Sequence, residues 1–211
     1  MSDELRRTLI DPPQKVKLMY QAVIDLINGN RNIDAIKVSD ITQQAGIGKG
    51  TAYEYFNSKD EIIVKALIYE MMQRLDEVQE ILYSDKSFQE VIYCILDIIA
   101  VHFHENRTFC TIFKIWMGAY DIPSSMQDIY NEVHHMVHKN HLMRMTDRLI
   151  EIGRMEDKIG QQNRLLCTTA LNAQIVSYVI YIISVTKDDD SSVSLDTVKE
   201  FVYQNIIKTL S

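Results

Sequence analysis

Residues Lys37 to Phe56 read KVSDITQQAGIGKGTAYEYF, and this stretch decides the fold. It predicts a short helix over residues 40–45, capped by Ser39, and a second over residues 49–55. Two short helices joined by a tight glycine-containing turn make a helix-turn-helix. The turn needs a residue free to adopt positive φ, and Gly46 supplies it. Val38, Ile41 and Ala45 face inward from the first helix, with Ile47 as an apolar plug after the turn. Ala52 is the small residue where the helices cross, and Phe56 closes the unit from below.

The outward side of the second helix carries Lys49, Gly50, Thr51, Tyr53 and Glu54. Hydroxyls of Thr51 and Tyr53 suit phosphate oxygens, and Lys49 can reach a phosphate or a guanine edge. The start of the helix, with its free N–H groups, favours a phosphate as well. Lys37 and Lys59 flank the pair with positive charge.

Outward from this segment the pattern stays helical. Asp11-Pro-Pro-Gln14 reads as a helix start with Asp11 as cap, followed by an apolar stripe of Val16, Met19, Tyr20, Val23, Leu26 and Ile27. Asn28-Gly29-Asn30 ends that helix. Ser58 and Glu61 form a capping box that opens a long helix with the stripe Ile63, Leu67, Met71, Leu75, Val78 and Leu82. Further helices are expected over residues 87–105, 108–120, 123–154, 161–185 and 195–210, with 187–192 as a polar linker. With only 7 Gly and 3 Pro, a turn-rich all-β chain is excluded. The expected architecture is all-α, with about nine helices in two parts. A three-helix N-terminal domain spans residues 1–58, and a larger helical body spans residues 59–211.

The residues from Ile41 to Glu61 resemble the signature of TetR-type (tetracycline-repressor-like) transcriptional regulators. The matching pattern is Ala45, Gly46, Ile47, Gly50, Thr51, Tyr53, Tyr55, Phe56, Lys59 and Glu61. The resemblance implies an all-α dimer that binds a double-stranded DNA operator through Thr51, Tyr53 and Lys59. It also implies a small-molecule inducer held in the body. Together with the residue reading, the expected DNA-facing set is Lys37, Lys49, Gly50, Thr51, Tyr53, Tyr55 and Lys59. Two positions depart from the pattern. Gly48 stands where a stronger Ser or Thr cap is common, and Glu54 places an acid on the reading helix.

The net charge of −7 argues against nucleic acid when taken whole. Residues 1–65, however, hold nine Lys+Arg and nine Asp+Glu, so the whole excess of acid lies beyond them. The function expected is a ligand-responsive regulator, a repressor released from a palindromic operator by a small, largely apolar ligand. The alternatives are a DNA-binding structural or partner-recruiting protein without an inducer, and a metal sensor using the His134, His138 and His141 face.

Candidate ligand residues are Tyr93, Asp97, Phe113, Trp116, Met117, Tyr120 and Tyr178. Asp97 sits among Ile95, Leu96, Ile98 and Ile99, and such a carboxylate must find a partner, whether a tyrosine, an arginine or a cationic ligand. Cys94, Cys110 and Cys167 read as core thiols of a reduced, cytoplasmic compartment. No set of nucleophile and base is present, so no enzyme activity, cofactor or metal is expected. The N-terminus lacks the apolar run of a signal peptide. Leu165 to Thr186 is 22 residues without a charge, which reads as a helix packed on its own body on one side and on a partner copy on the other. The last two helices are therefore the expected homodimer surface, and no membrane span is expected.

Overall fold

A computed structural model describes residues 9, 11–105, 107–116, scattered positions between 124 and 131, 142–185 and 193–211. Among the described residues all regular structure is helical. The helices are α1 Gln14–Asn28, α2 Val38–Gln44, α3 Lys49–Tyr55, α4 Lys59–Leu82, α5 Phe88–Glu105, α6 Arg107–Trp116, α7 Met143–Met155, α8 Arg164–Val185 and α9 Leu195–Leu210. A 3-10 turn, Ile33–Ala35, lies between α1 and α2. Of the helix expected over 123–154, the continuous element is Met143–Met155, and the expected linker at 187–192 lies outside the described residues.

The chain packs as two compact units. One comprises Met1–Arg74 with Asn106–Val137, the other Leu75–Glu105 with His138–Ser211. Helix α4 gives its residues through Arg74 to the first and the rest to the second.

In the first unit α1 buries Val16, Met19, Tyr20, Val23 and Ile27, as its stripe predicts. Its start differs from expectation. Pro13, with φ −56° and ψ 155°, is the cap residue and no side chain caps the helix. The Pro13 carbonyl instead accepts from the N–H groups of Val16 and Lys17 at 2.8 and 3.0 Å. Asn28 ends α1 and also serves α6, because its Oδ1 accepts from the backbone N–H and the hydroxyl of Thr108, each at 3.0 Å. Arg107 donates to the side chain of Asn30, a residue at φ +72°.

Helix α4 differs most from a simple stripe. From Glu61 to Ile68 every residue is buried, apolar and charged alike. A helix covered on all sides cannot be amphipathic. The two charges within this stretch satisfy each other: Lys65 Nζ lies 2.6 Å from Glu61 Oε1, and over the Phe56 ring at 5.6 Å. The other Glu61 oxygen accepts the backbone N–H of Asn57 at 2.7 Å, and Ser58 Oγ accepts the Glu61 N–H at 3.0 Å. The expected capping box is thus formed with Asn57, not Ser58, as the recipient of the carboxylate.

In the second unit Phe88 is fully buried against Tyr203, with ring centroids 6.2 Å apart, and its N–H donates to Glu156 at 2.7 Å. Gly153 on α7 allows Ile159 and Phe88 to approach, since a Cβ there would stand 2.7 Å from an Ile159 carbon. The chain closes on itself where the Gly160 N–H donates to the Leu210 carbonyl at 2.6 Å. Helix α8 starts at Arg164, later than expected, because Asn163 accepts the Leu165 N–H at 2.8 Å and ends the preceding loop. By length and composition alone Arg164–Ser184 is long and apolar enough to cross a membrane. It buries Cys167, Leu171, Tyr178, Val179 and Ile182 within the chain while Leu165, Leu166 and Ile180 stand exposed.

Two stability outcomes follow from this packing. Glu61→Ala strands the Lys65 ammonium and is expected to cost about 3–5 kcal/mol in urea unfolding, whereas Glu61→Leu with Lys65→Met costs far less. Gly153→Ala overfills the α7 contact and is expected to lose about 1–3 kcal/mol in the same measurement.

Candidate nucleic-acid interface

The helix-turn-helix forms as α2, a turn and α3. Gly46 holds φ +67°, the left-handed conformation that the turn requires. Helix α2 begins at Val38, one residue before the expected Ser39 cap. Asp40 is the reason, since its carboxylate accepts the Lys37 N–H at 3.1 Å and fixes the first turn there. Ile41, Ala52 and Phe56 are buried, while Val38, Ala45 and Ile47 are half-buried. The Phe56 ring packs 5.9 Å from Tyr20 of α1, and Tyr20 stacks on Tyr69 of α4 at 5.3 Å. The reading helix is thereby held by both long helices of its unit.

The opposite side of α3 is open. Lys49, Gly50, Tyr53 and Glu54 are exposed, Tyr53 at 59%, while Thr51 and Tyr55 are half-buried. Lys37 is exposed at the start of α2. Lys59 opens α4 and donates to the Asp34 carbonyl at 3.2 Å, with Asp60 beside it at 3.8 Å. Its ammonium therefore also ties α4 to the 3-10 turn. All seven residues expected to face DNA belong to the first unit, and α3 with its flanking turns carries most of them.

The expected ligand residues divide. Tyr93, Asp97 and Tyr178 belong to the second unit, and Phe113 and the backbone of Trp116 to the first. Met117, Tyr120, His134, His138 and His141 lie outside the described residues.

Asp97 is not the buried carboxylate expected from its apolar neighbours. Its side chain is 56% exposed and lies 2.8 Å from Lys199 Nζ. The same ammonium lies 2.8 Å from Asp196 and 5.7 Å from the centre of the Tyr93 ring. Hydrogen bonds from Lys199 to Asp196 and Asp97 hold it protonated well above the usual lysine range. A cationic ligand for Asp97 would have to displace a lysine already in place. The Tyr93 hydroxyl donates to Glu200, which holds that carboxylate below its ordinary value. Lys199, Asp196 and Glu200 were invisible as partners in the sequence, because α9 meets α5 across 102 residues.

Tyr178 on α8 is fully buried, and its hydroxyl finds no hydrogen-bond partner among the described residues. Burial, and then the nearby Asp97 charge, push its pKa up to about 12. An open groove of about 400 Å³ runs along α7, lined by Asp147, Ile150, Glu151, Arg154, Met155 and Arg164, with none of the expected ligand residues in its wall. Among the described residues no group of three or more His, Cys, Asp or Glu is placed to hold a metal.

A pair of short helices with a buried inner side, an open outer side and a left-handed glycine between them forms a helix-turn-helix. Residues 29–66, which contain that pair, match the family described as bacterial regulatory proteins, tetR family. That match spans the helix-turn-helix and its flanks, in keeping with the resemblance carried by Ala45 to Glu61.

An HTH-type transcriptional regulator of Bacillus subtilis, YvdT, itself uncharacterized, is 31% identical over 83 residues. That alignment covers 39% of this chain and 42% of the length of its relative. In overall fold the chain is similar to the transcriptional regulator FadR of Bacillus subtilis solved with stearoyl-CoA. The TM-score is 0.67 at 16% identity, over 92% of this chain and 99% of the other. It is similar too to the fatty acid degradation regulator FadR of Bacillus halodurans, with a TM-score of 0.69 at 13% identity, over 93% and 96%.

Tyr178→Phe removes a hydroxyl that has no partner among the described residues and is expected to leave the melting temperature unchanged or raised, since an unanswered buried group costs about 1–3 kcal/mol. It also alters the alkaline limb. The folded tyrosine keeps its proton to about 12 while the unfolded one loses it near 10. Stability contributed by the protonated form is complete below pH 10 and falls as pH rises toward 12. Denaturation midpoints between pH 9 and 12 should show a shallower decline in Tyr178→Phe than in the wild type.

Proposed function

We propose that the protein is a dimeric transcriptional regulator, a repressor that binds a palindromic operator and leaves it when a small, largely apolar ligand binds. The observation that carries this reading is the α2–α3 pair, with Gly46 in its turn and Lys49, Gly50, Tyr53 and Glu54 displayed on one open side. Helix α3 has the length and exposure to enter a major groove, and in this reading Lys37, Lys49, Tyr53 and Lys59 take phosphates on either side.

A second copy accounts for the composition of the last two helices. Leu165, Leu166 and Ile180 on α8, which carries a single charge at Arg164, and Leu195 and Phe201 on α9 are exposed apolar side chains. Burial against the same surface of a partner removes them from water and places two reading helices on one side of the duplex. The uncharged stretch is then an interface helix of a cytoplasmic protein and not a membrane span.

The apolar ligand is supported by the fold it shares with a regulator solved with stearoyl-CoA. Tyr93 and Asp97 are engaged by Glu200 and Lys199, so the apolar residues, not the acid, are the better ligand contacts in this reading. Helix α4 contributes to both units, and a ligand that prefers one setting of α4 changes the spacing of the reading helices.

Selection of duplexes from a random pool should recover a palindrome. Tyr53→Ala should then weaken binding to it by about 1 kcal/mol for each half-site, with dimer mass and melting temperature unchanged. Unaltered affinity in that variant would count against the assignment of this face to DNA.

A further inference from the structure

Gly46 and Gly50 are glycines for different reasons. At φ +67° Gly46 serves the backbone. Gly50 lies inside α3, where a glycine is a poorer helix former than alanine, and a Cβ added to it would meet nothing within 4 Å. No contact among the described residues uses the missing side chain. A glycine with no internal reason in a helix is suited to close approach by another molecule.

Glu54 stands one helical turn beyond Gly50, on the same strip. Ala52 and Phe56 are buried and define the inner side of α3, so Gly50 and Glu54 face directly away from the core. Lys49 with Tyr53 and Thr51 with Tyr55 fall on the two flanks. Glu54 is exposed, and none of the described hydrogen bonds or ion pairs involves it. The strip is thus a bare patch ending in an unengaged carboxylate, bordered by groups that suit phosphates.

We infer that the Gly50–Glu54 strip faces the floor of the major groove, where Glu54 accepts a hydrogen bond from the N4 amino group of a cytosine. This rests on the DNA-binding reading and makes it specific. A carboxylate on either flank would be repelled by phosphate, whereas at the centre it meets base edges. Cytosine presents an amino donor there, while adenine sets its N7 acceptor next to its amino group, against the second carboxylate oxygen. The missing side chain at Gly50 lets the helix sink far enough for a side chain of this length to reach.

The test compares the wild type, Glu54→Gln and Gly50→Ala by selection from a random duplex pool and by titration of the recovered operator and of a scrambled duplex. The wild type should enrich a cytosine at one symmetric position of each half-site. Glu54→Gln should lose that preference, turning toward adenine, with the rest of the consensus kept and affinity for the original operator reduced roughly tenfold. Gly50→Ala should melt at a higher temperature yet bind the operator more weakly. An unchanged consensus and affinity in Glu54→Gln overturns the inference. So does a uniform gain on operator and scrambled duplex alike, which would make Glu54 a repulsive group only. If the wild type enriches no sequence, the DNA-binding reading itself falls, which is a distinct result from either.

Discussion

The first unit depends on the contact of Phe56 with what lies beneath it. Phe56 ends the reading helix, its ring meets Tyr20 of α1, and the Lys65 ammonium lies over it, held by Glu61 at 2.6 Å. Glu61 also takes the N–H of Asn57 in the three-residue link between α3 and α4. One carboxylate therefore satisfies a buried cation and the loop that positions α3. Buried ion pairs add little net stability, because desolvation opposes the attraction, but their geometry admits few alternatives. What this pair supplies is a fixed angle between a short helix, which could not hold its own orientation, and a long one that can.

The sequence made the local structure readable and left the long-range pairing hidden. The turn at Gly46, the inward Ala52 and Phe56 and the open face of α3 follow from propensity and spacing over twenty residues. Caps were less legible, since several polar residues compete within one turn. Asp40 captured the Lys37 N–H and moved the start of α2 ahead of Ser39. Asp97 was misread for a different reason. Apolar neighbours on either side along the chain imply burial only if the helix is covered all round, and α5 leaves the Asp97 position open to Lys199 of α9. The pairing of Asn28 with Thr108 across 80 residues was equally beyond any local pattern.

Helices α8 and α9 show how a charge can be placed without being spent on the apolar surface. Lys199 reaches the α5 side and gathers Asp97, Asp196 and the Tyr93 ring around a single ammonium. This keeps the acids of that region occupied while Leu165, Leu166 and Ile180 remain uncharged ground. The buried hydroxyl of Tyr178 is an exception among the described residues, a polar group that they cover without answering.

The balance of charge bears on how such a face could discriminate. Residues 1–65 carry equal numbers of acidic and basic groups, so the first part of the chain has no net attraction for a polyanion. Non-specific affinity scales with the phosphates neutralised, and a neutral segment offers little surplus of positive charge for it. One of those nine acids, Glu54, stands at the centre of the open face of α3, and would be a pure cost if the helix only had to hold phosphates. It becomes useful when the wrong sequence leaves that carboxylate without a donor in a desolvated groove, because an unanswered buried charge penalises the mismatch more than a made hydrogen bond rewards the match. Weak attraction overall and a costly group at the centre together favour selectivity over strength.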